Sequence, residues 1–205
     1  MTKNIQAVLF DLDGVLVDTR RLHYQALYLA LLELNIELSL EEHQLHYDGL
    51  PTYTKIAMLT ERFQFTPEQI LNLNLRKQEH TLKLLHGKII PNQEHLNLFS
   101  YLKEKNIKIA ICSNTKRSTL DHIIKNLGIS QFLAFSLSNE DVQKPKPSPE
   151  IYLTAMAMLG VTPQETVVFE DSPHGLESAR NSLARVEKVE NCNDLTLEWI
   201  KKIIT

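Results

Sequence analysis

The feature that most constrains this chain is the junction of an apolar run, Ala7-Val8-Leu9-Phe10, with Asp11-Leu12-Asp13-Gly14. Four consecutive apolar residues without alternation read as a strand buried on both faces, the pattern of a parallel sheet covered by helices. The run ends by projecting two carboxylates, two residues apart, from its C-terminal tip. In open parallel sheets ligands bind outside the carboxyl ends of the strands, so the acids stand where chemistry is usually done. An Asp-Gly pair alone is also an ordinary turn, and the remaining segments decide between the two readings.

Further apolar runs predict strands at Ile5 to Phe10, Ile107 to Cys112, Phe132 to Leu137 and Thr166 to Phe169, with Arg185 to Val189 as a fifth at an edge. Helical spacing fills the gaps. Leu96, Leu98, Phe99 and Leu102 fall within a helix over Asn92 to Glu104. Leu120, Ile123, Ile124 and Leu127 mark a face that ends at Gly128, a C-terminal cap. Ser148-Pro149 opens a helix over Ile151 to Leu159, and Leu195 and Trp199 are expected to pack a last helix on the sheet. Strand and helix alternate from Asn92 onward, which predicts an α/β fold with a parallel sheet.

Thr19 to His86 contains no convincing strand. Leu22, Ala26, Leu27, Leu29, Ala30 and Leu34 form one helix face, and Ile56, Ala57 and Leu59 another. Thr66-Pro67-Glu68-Gln69 is a capping box with proline at the first helical position, opening a helix that reaches about Leu85. An all-helical block thus interrupts an α/β chain after its first strand. The expected division is 1–16 with 87–205 as the core and 17–86 as the insertion.

The chain has 205 residues and a net charge of -3 with acids and bases intermixed, which supplies no basic footprint for nucleic acid. No apolar stretch approaches the ~20 residues of a membrane span. The two cysteines, Cys112 and Cys192, lie far apart and have no metal-type spacing. This fits a reducing compartment, and the expected location is the cytoplasm, since the first strand leaves no room for a signal peptide before it. Cys112 closes a strand and reads as core.

Each later strand runs into a polar group: Ser113-Asn114-Thr115, Asn139-Glu140-Asp141 followed by Lys144-Pro145-Lys146-Pro147, and Glu170-Asp171-Ser172. Parallel strands bring these tips to one edge. Several close carboxylates cannot all stay ionised without a counter-cation. Oxygen ligands without Cys or His favour Mg²⁺. A lysine supplies a compact charge for a phosphate, and Ser113 with the N–H groups opening the next helix can hydrogen-bond an anion. Phosphoryl transfer needs mainly positioning and charge neutralisation.

Four ordered segments resemble the haloacid dehalogenase superfamily: Asp11-Leu12-Asp13-Gly14-Val15-Leu16-Val17-Asp18-Thr19, Ile111-Cys112-Ser113-Asn114, Lys146-Pro147-Ser148-Pro149-Glu150-Ile151-Tyr152, and Val168-Phe169-Glu170-Asp171-Ser172-Pro173-His174-Gly175. The resemblance spans the chain. The helical block resembles the cap of the branch that includes β-phosphoglucomutase and phosphoglycolate phosphatase. The resemblance implies a Rossmann-like three-layer core with an inserted helical cap. It implies Asp11 as nucleophile, and Asp13 as general acid/base with its backbone carbonyl on the metal. It further implies phosphate binding by Ser113 and by the backbone of Asn114. Lys146 is the family lysine by its register to Tyr152, with Lys144 as the fallback. Asp171 would ligate Mg²⁺, and Glu170 would do so directly or through a water. Asp18 would be structural.

Dehalogenating members lack the second aspartate, so Asp13 argues against carbon–halogen cleavage. His23 falls where the mutase-like branch carries a histidine, and Lys55 stands one turn beyond the place where that branch has an arginine; both are candidate substrate contacts. Taken alone, Lys55 and Lys77 read as surface lysines, and His43 and His46 as a solvated face. The expected function is a Mg²⁺-dependent phosphatase of a small phosphorylated metabolite, monomeric or weakly dimeric. The alternatives are a phosphosugar mutase and a non-catalytic phospholigand-binding protein.

Overall fold

The computed structural model describes residues 4–204. In chain order the elements are β1 (Ala7–Phe10), α1 (Arg20–Leu32), α2 (Leu40–His46), α3 (Thr52–Phe63), α4 (Pro67–Leu85), α5 (Gln93–Glu104), β2 (Lys108–Cys112), α6 (Arg117–Leu127), β3 (Phe135–Leu137), α7 (Glu150–Leu159), β4 (Thr166–Glu170), α8 (Pro173–Asn181), β5 (Arg185–Lys188) and α9 (Leu197–Ile204). Contacts divide the chain into Met1–Asp18 with Ile89–Thr205, and Thr19–Lys88.

The first unit is built on a five-stranded sheet of order β3-β2-β1-β4-β5, parallel throughout. β1 is central and completely buried. Its alternate side chains serve two layers. Ala7 and Leu9 pack with Ile151, Tyr152, Ala155 and Met156 of α7. Phe10 turns to the other face, stacked on Phe169 at 5.2 Å and tilted against Phe99 of α5 at 5.2 Å. Trp199 of α9 meets Phe169 edge-on at 5.4 Å, which seats the last helix on the sheet, as expected of that residue. Burial on both faces is why β1, β2 and β4 read as unbroken apolar runs.

β3 is shorter than the run Phe132 to Leu137 suggests. Ser130–Phe132 forms a 3-10 turn, and Phe132 stacks on Phe99 at 6.0 Å. The aromatic ring therefore serves the helix layer, and three residues remain to pair with β2. β5 stands at the opposite edge, as expected.

The second unit is all helical. Its core gathers Leu27, Ala30 and Leu31 of α1, Ile56 and Leu59 of α3, and Leu73 of α4, together with Leu38, Tyr47 and Phe65. The capping box forms as its sequence requires: Thr66 accepts from the Gln69 N–H at 3.2 Å, and Gln69 accepts from the Thr66 N–H at 2.9 Å. Glu33 receives Arg76 at 2.8 Å and His80 at 2.9 Å. These hydrogen bonds hold its carboxyl down at about 2.

Candidate active site

The register places Phe10 beside Ile111 on one side and Phe169 on the other. The residues that follow therefore emerge together: Asp11 from β1, Ser113 after β2, and Glu170 and Asp171 at the end of β4. The chain builds outward from β1 in both directions, so this edge is the topological switch point of the sheet, where ligands of open α/β folds bind.

Asp11 is 7% exposed and Lys146 3%. Lys146 Nζ donates to Asp11 Oδ1 at 2.6 Å and to Glu170 Oε1 at 2.5 Å. It also lies 4.8 Å from the centre of the Tyr152 ring, and the Tyr152 hydroxyl donates to Glu170 Oε1 at 2.9 Å. Lys144 is exposed, so geometry selects Lys146 as the lysine of this group. Burial opposes the Lys146 charge, but Asp11 and Glu170 outweigh it and raise its pKa. Burial, then the repulsion of Glu170, raises Asp11 well above the usual carboxylate range against the pull of Lys146. Lys146 is paired with two of the acids at this edge, Asp11 and Glu170, and Asp171 stands close to both of them. Burial pushes the Cys112 thiol up to about 12, which keeps it a core residue.

Asp11, Glu170 and Asp171 each offer an oxygen within 4.8 Å of the others. Two of the three are suited to direct ligation. Asp171 Oδ1 is a buried acceptor atom outside any hydrogen bond. Glu170 is different. Its Oε1 accepts Lys146 and Tyr152, while Oε2 accepts the N–H groups of Asp171 at 2.9 Å and Ser172 at 3.2 Å. A carboxylate has about four lone-pair directions, and those of Glu170 are taken. The all-oxygen donor set fits Mg²⁺. Two glycines make room for these acids. A Cβ on Gly14, which has φ +95, would meet Asp171 Oδ2 at 2.0 Å, and one on Gly175 would meet Glu170 Oε1 at 1.9 Å.

Ser113 is buried, and its N–H donates to Leu137 O at 2.9 Å. Its Oγ accepts from the Thr115 N–H at 3.0 Å. The Asn114 side chain does work that no sequence pattern announced. It donates to Lys146 O at 3.1 Å and accepts from Lys146 N–H at 3.0 Å, clasping the loop that carries the lysine. Asp13 is half-buried and accepts from Thr115 Oγ1 at 2.7 Å. Thr115, expected here only as part of the polar group Ser113-Asn114-Thr115, and Tyr152, expected only as the marker of the lysine's register, are thus both tied to the site by side-chain hydrogen bonds. Asp18 is exposed.

Two acids expected at this edge serve other ends. Glu140 Oε2 accepts the Arg117 N–H at 2.7 Å at the start of α6. Asp141 accepts the Ser138 N–H and hydroxyl and pairs with Arg117. Bonds to Ser138, then Arg117, outweigh burial and lower the Asp141 pKa.

In the helical unit, the surface reading of three residues is corrected. Lys55 is 6% exposed, Lys77 7% and His43 1%. Lys55 Nζ lies 3.2 Å from His43 Nε2, and Lys77 Nζ lies 3.4 Å from His23 Nδ1. The aliphatic stems of lysine let the helices bury these residues, which helical spacing alone does not reveal. Burial, then Lys55, His23 and Lys77, push His43 down to about 3. His43 and His46 belong to no metal-type group among the described residues.

The family described as haloacid dehalogenase-like hydrolase matches residues 8–189. A phosphorylated carbohydrates phosphatase of Thermotoga maritima is 28% identical over 185 residues, 90% of this chain and 84% of that protein. The crystal structure of CbbY from Rhodobacter sphaeroides in complex with phosphate superposes with a TM-score of 0.79 at 27% identity, over 89% of this chain and 84% of that one. A β-phosphoglucomutase from Clostridium difficile shares the fold, with a TM-score of 0.82 at 24% identity over 98% and 97% of the two chains.

Proposed function

Because the chain belongs to the haloacid dehalogenase-like hydrolases, we propose that it is a Mg²⁺-dependent phosphatase that frees phosphate from a small phosphorylated metabolite through a phospho-aspartate. The observation that carries this reading is the buried bridge of Lys146 between Asp11 and Glu170, with Asp171 beside it. A nucleophilic carboxylate, a fixed cation and further acids meet at the ligand-binding edge.

Asp11 attacks phosphorus, and its carboxylate oxygen takes the phosphoryl group as the bond to the leaving oxygen breaks. Asp13 gives that oxygen a proton, then takes one from the water that attacks the phospho-aspartate, restoring Asp11 and releasing phosphate. Lys146 and Ser113 hold phosphoryl oxygens, and the Asn114 side chain keeps the Lys146 loop in place. Mg²⁺, when bound, would neutralise charge on the acids and the phosphoryl group. Asp11, Asp171 and the Asp13 carbonyl would hold it, while Glu170, whose oxygens are engaged by Lys146, Tyr152 and two N–H groups, would serve the site by fixing the lysine. His23 and Lys55 remain candidate substrate contacts within the helical unit, and no membrane or nucleic-acid partner is part of the reading. The Thermotoga maritima relative acts on phosphorylated carbohydrates by its name, so sugar phosphates head the panel of substrates. No helix among the described residues is long and apolar enough to cross a membrane.

The test is release of inorganic phosphate from a panel of phosphorylated metabolites, with and without EDTA. The purified protein should release phosphate in Mg²⁺, and Asp11→Asn should lower the rate by at least ~10³-fold, since it removes the nucleophile. Isomer formation from a hexose 1-phosphate in place of phosphate release would mark a mutase. Absence of both activities, or full turnover by Asp11→Asn, would overturn the reading.

A further inference from the structure

We infer that Thr115 is a positioning residue for Asp13, holding its carboxyl in the orientation from which it exchanges a proton with the reacting group. The inference rests on the phosphatase reading above. Thr115 Oγ1 donates to Asp13 Oδ2 at 2.7 Å across 102 residues of sequence. The bond ties together the loops that leave two neighbouring strands, β1 and β2. Thr115 is itself held: its N–H donates to Ser113 Oγ at 3.0 Å, and its carbonyl accepts the Asn139 N–H at 3.4 Å.

A threonine hydroxyl has one proton to give, and here it is given to Oδ2. The bond holds the Asp13 carboxyl in one orientation about its side-chain torsions. In the first step Asp13 passes a proton to the leaving oxygen as that oxygen's bond to phosphorus breaks, and in the second it takes a proton from the attacking water. Without the threonine hydroxyl the carboxyl is free to turn away from the group with which it must exchange that proton.

Such a role shows itself in the leaving group. The test measures kcat/KM on p-nitrophenyl, phenyl and benzyl phosphate for the full chain in Mg²⁺. p-Nitrophenolate leaves readily without a proton, whereas benzyl alkoxide requires one. Thr115→Val should lose about 10- to 100-fold on benzyl phosphate, part of the range that general acids supply, and less than about 3-fold on p-nitrophenyl phosphate. Thr115→Ala, which imposes no new packing, should show the same selectivity, and Thr115→Ser should stay within about 3-fold of wild type on all three. Equal losses on the three esters, or a serine variant as impaired as the valine one, would overturn the inference while leaving the phosphatase reading standing. Release of phosphate from none of them by wild type or on the metabolite panel would remove both.

Discussion

At Gly175 a single hydrogen occupies a place that any side chain would contest with Glu170: the carboxylate oxygens lie 1.9 and 2.1 Å from where a Cβ would sit. Glu170 is fully buried and held by Lys146, Tyr152 and two backbone N–H groups, so it has no solvent to retreat into. Gly175→Ala should therefore shift the acid and, through it, Lys146. The expected result is a loss of about 1–3 kcal/mol in stability, the cost of overpacking, with at least ~10-fold slower phosphate release, read by urea unfolding and a rate assay. A stable variant with unchanged rate would show that Glu170 need not keep its place. Asn114 offers a contrasting case. Asn114→Ala removes both hydrogen bonds to the backbone of Lys146. It should cost about 1–3 kcal/mol and slow the reaction, while leaving the lysine in the chain to be rescued in part by Asn114→Asp, which keeps the acceptor. Motif context points to Gly14 and Asn114, but the reasons those residue types are needed lie in neighbours distant in sequence, Asp171 and Lys146, which no local pattern displays.

Among the elements, legibility followed the range of the forces involved. α4 was readable to its ends because a capping box and a proline act within one turn, and both hydrogen bonds of the box are present. β3 was overread because Phe132 answers to Phe99 of α5, a long-range partner. The burial of His43 was missed because α2 shows an ordinary polar pattern. Its environment is supplied by other elements: Lys55 of α3, Lys77 of α4, His23 of α1, and the rings of Tyr24 and Tyr47. A consequence for stability follows. The unfolded chain takes a proton on this histidine near its ordinary 6.5, whereas the folded protein resists to about 3. Below pH 6.5 the unfolded state binds more protons, so the contribution is complete above that pH and is lost progressively as pH falls toward 3. At pH 5 the loss is about 2 kcal/mol, at 1.36 kcal/mol per unit. His43→Gln keeps an acceptor for Lys55 but cannot protonate. Between pH 7.5 and 5 its unfolding free energy should fall by about 2 kcal/mol less than wild type, and parallel curves would refute the assignment.

Across the molecule, the sheet gathers charges that the unfolded chain keeps apart. The order β3-β2-β1-β4-β5 sets Ala7 beside Lys108 on one side and Thr166 on the other. Alternation of strand and helix made this architecture legible, and the chain's first acids marked its working edge. The saturation of Glu170 was not legible, since it depends on donors from α7 and the β4–α8 turn. Asp11 and Asp171 are separated by 160 residues in sequence and share a site only after folding. A divalent cation held by both therefore binds the native state and hardly the unfolded one. Linkage then requires stabilisation of about 2.7 kcal/mol at a hundredfold excess over the dissociation constant, or about 5–10 °C in melting temperature for a chain of this size. Thermal unfolding in saturating Mg²⁺ and in EDTA measures the difference without any substrate. Wild type should show the full shift. Asp171→Asn, which keeps the shape of the side chain but halves its ligand capacity and removes its charge, should shift by less than about 2 °C. An equal shift in both proteins would place the cation elsewhere, and no shift in wild type would deny that these acids hold one.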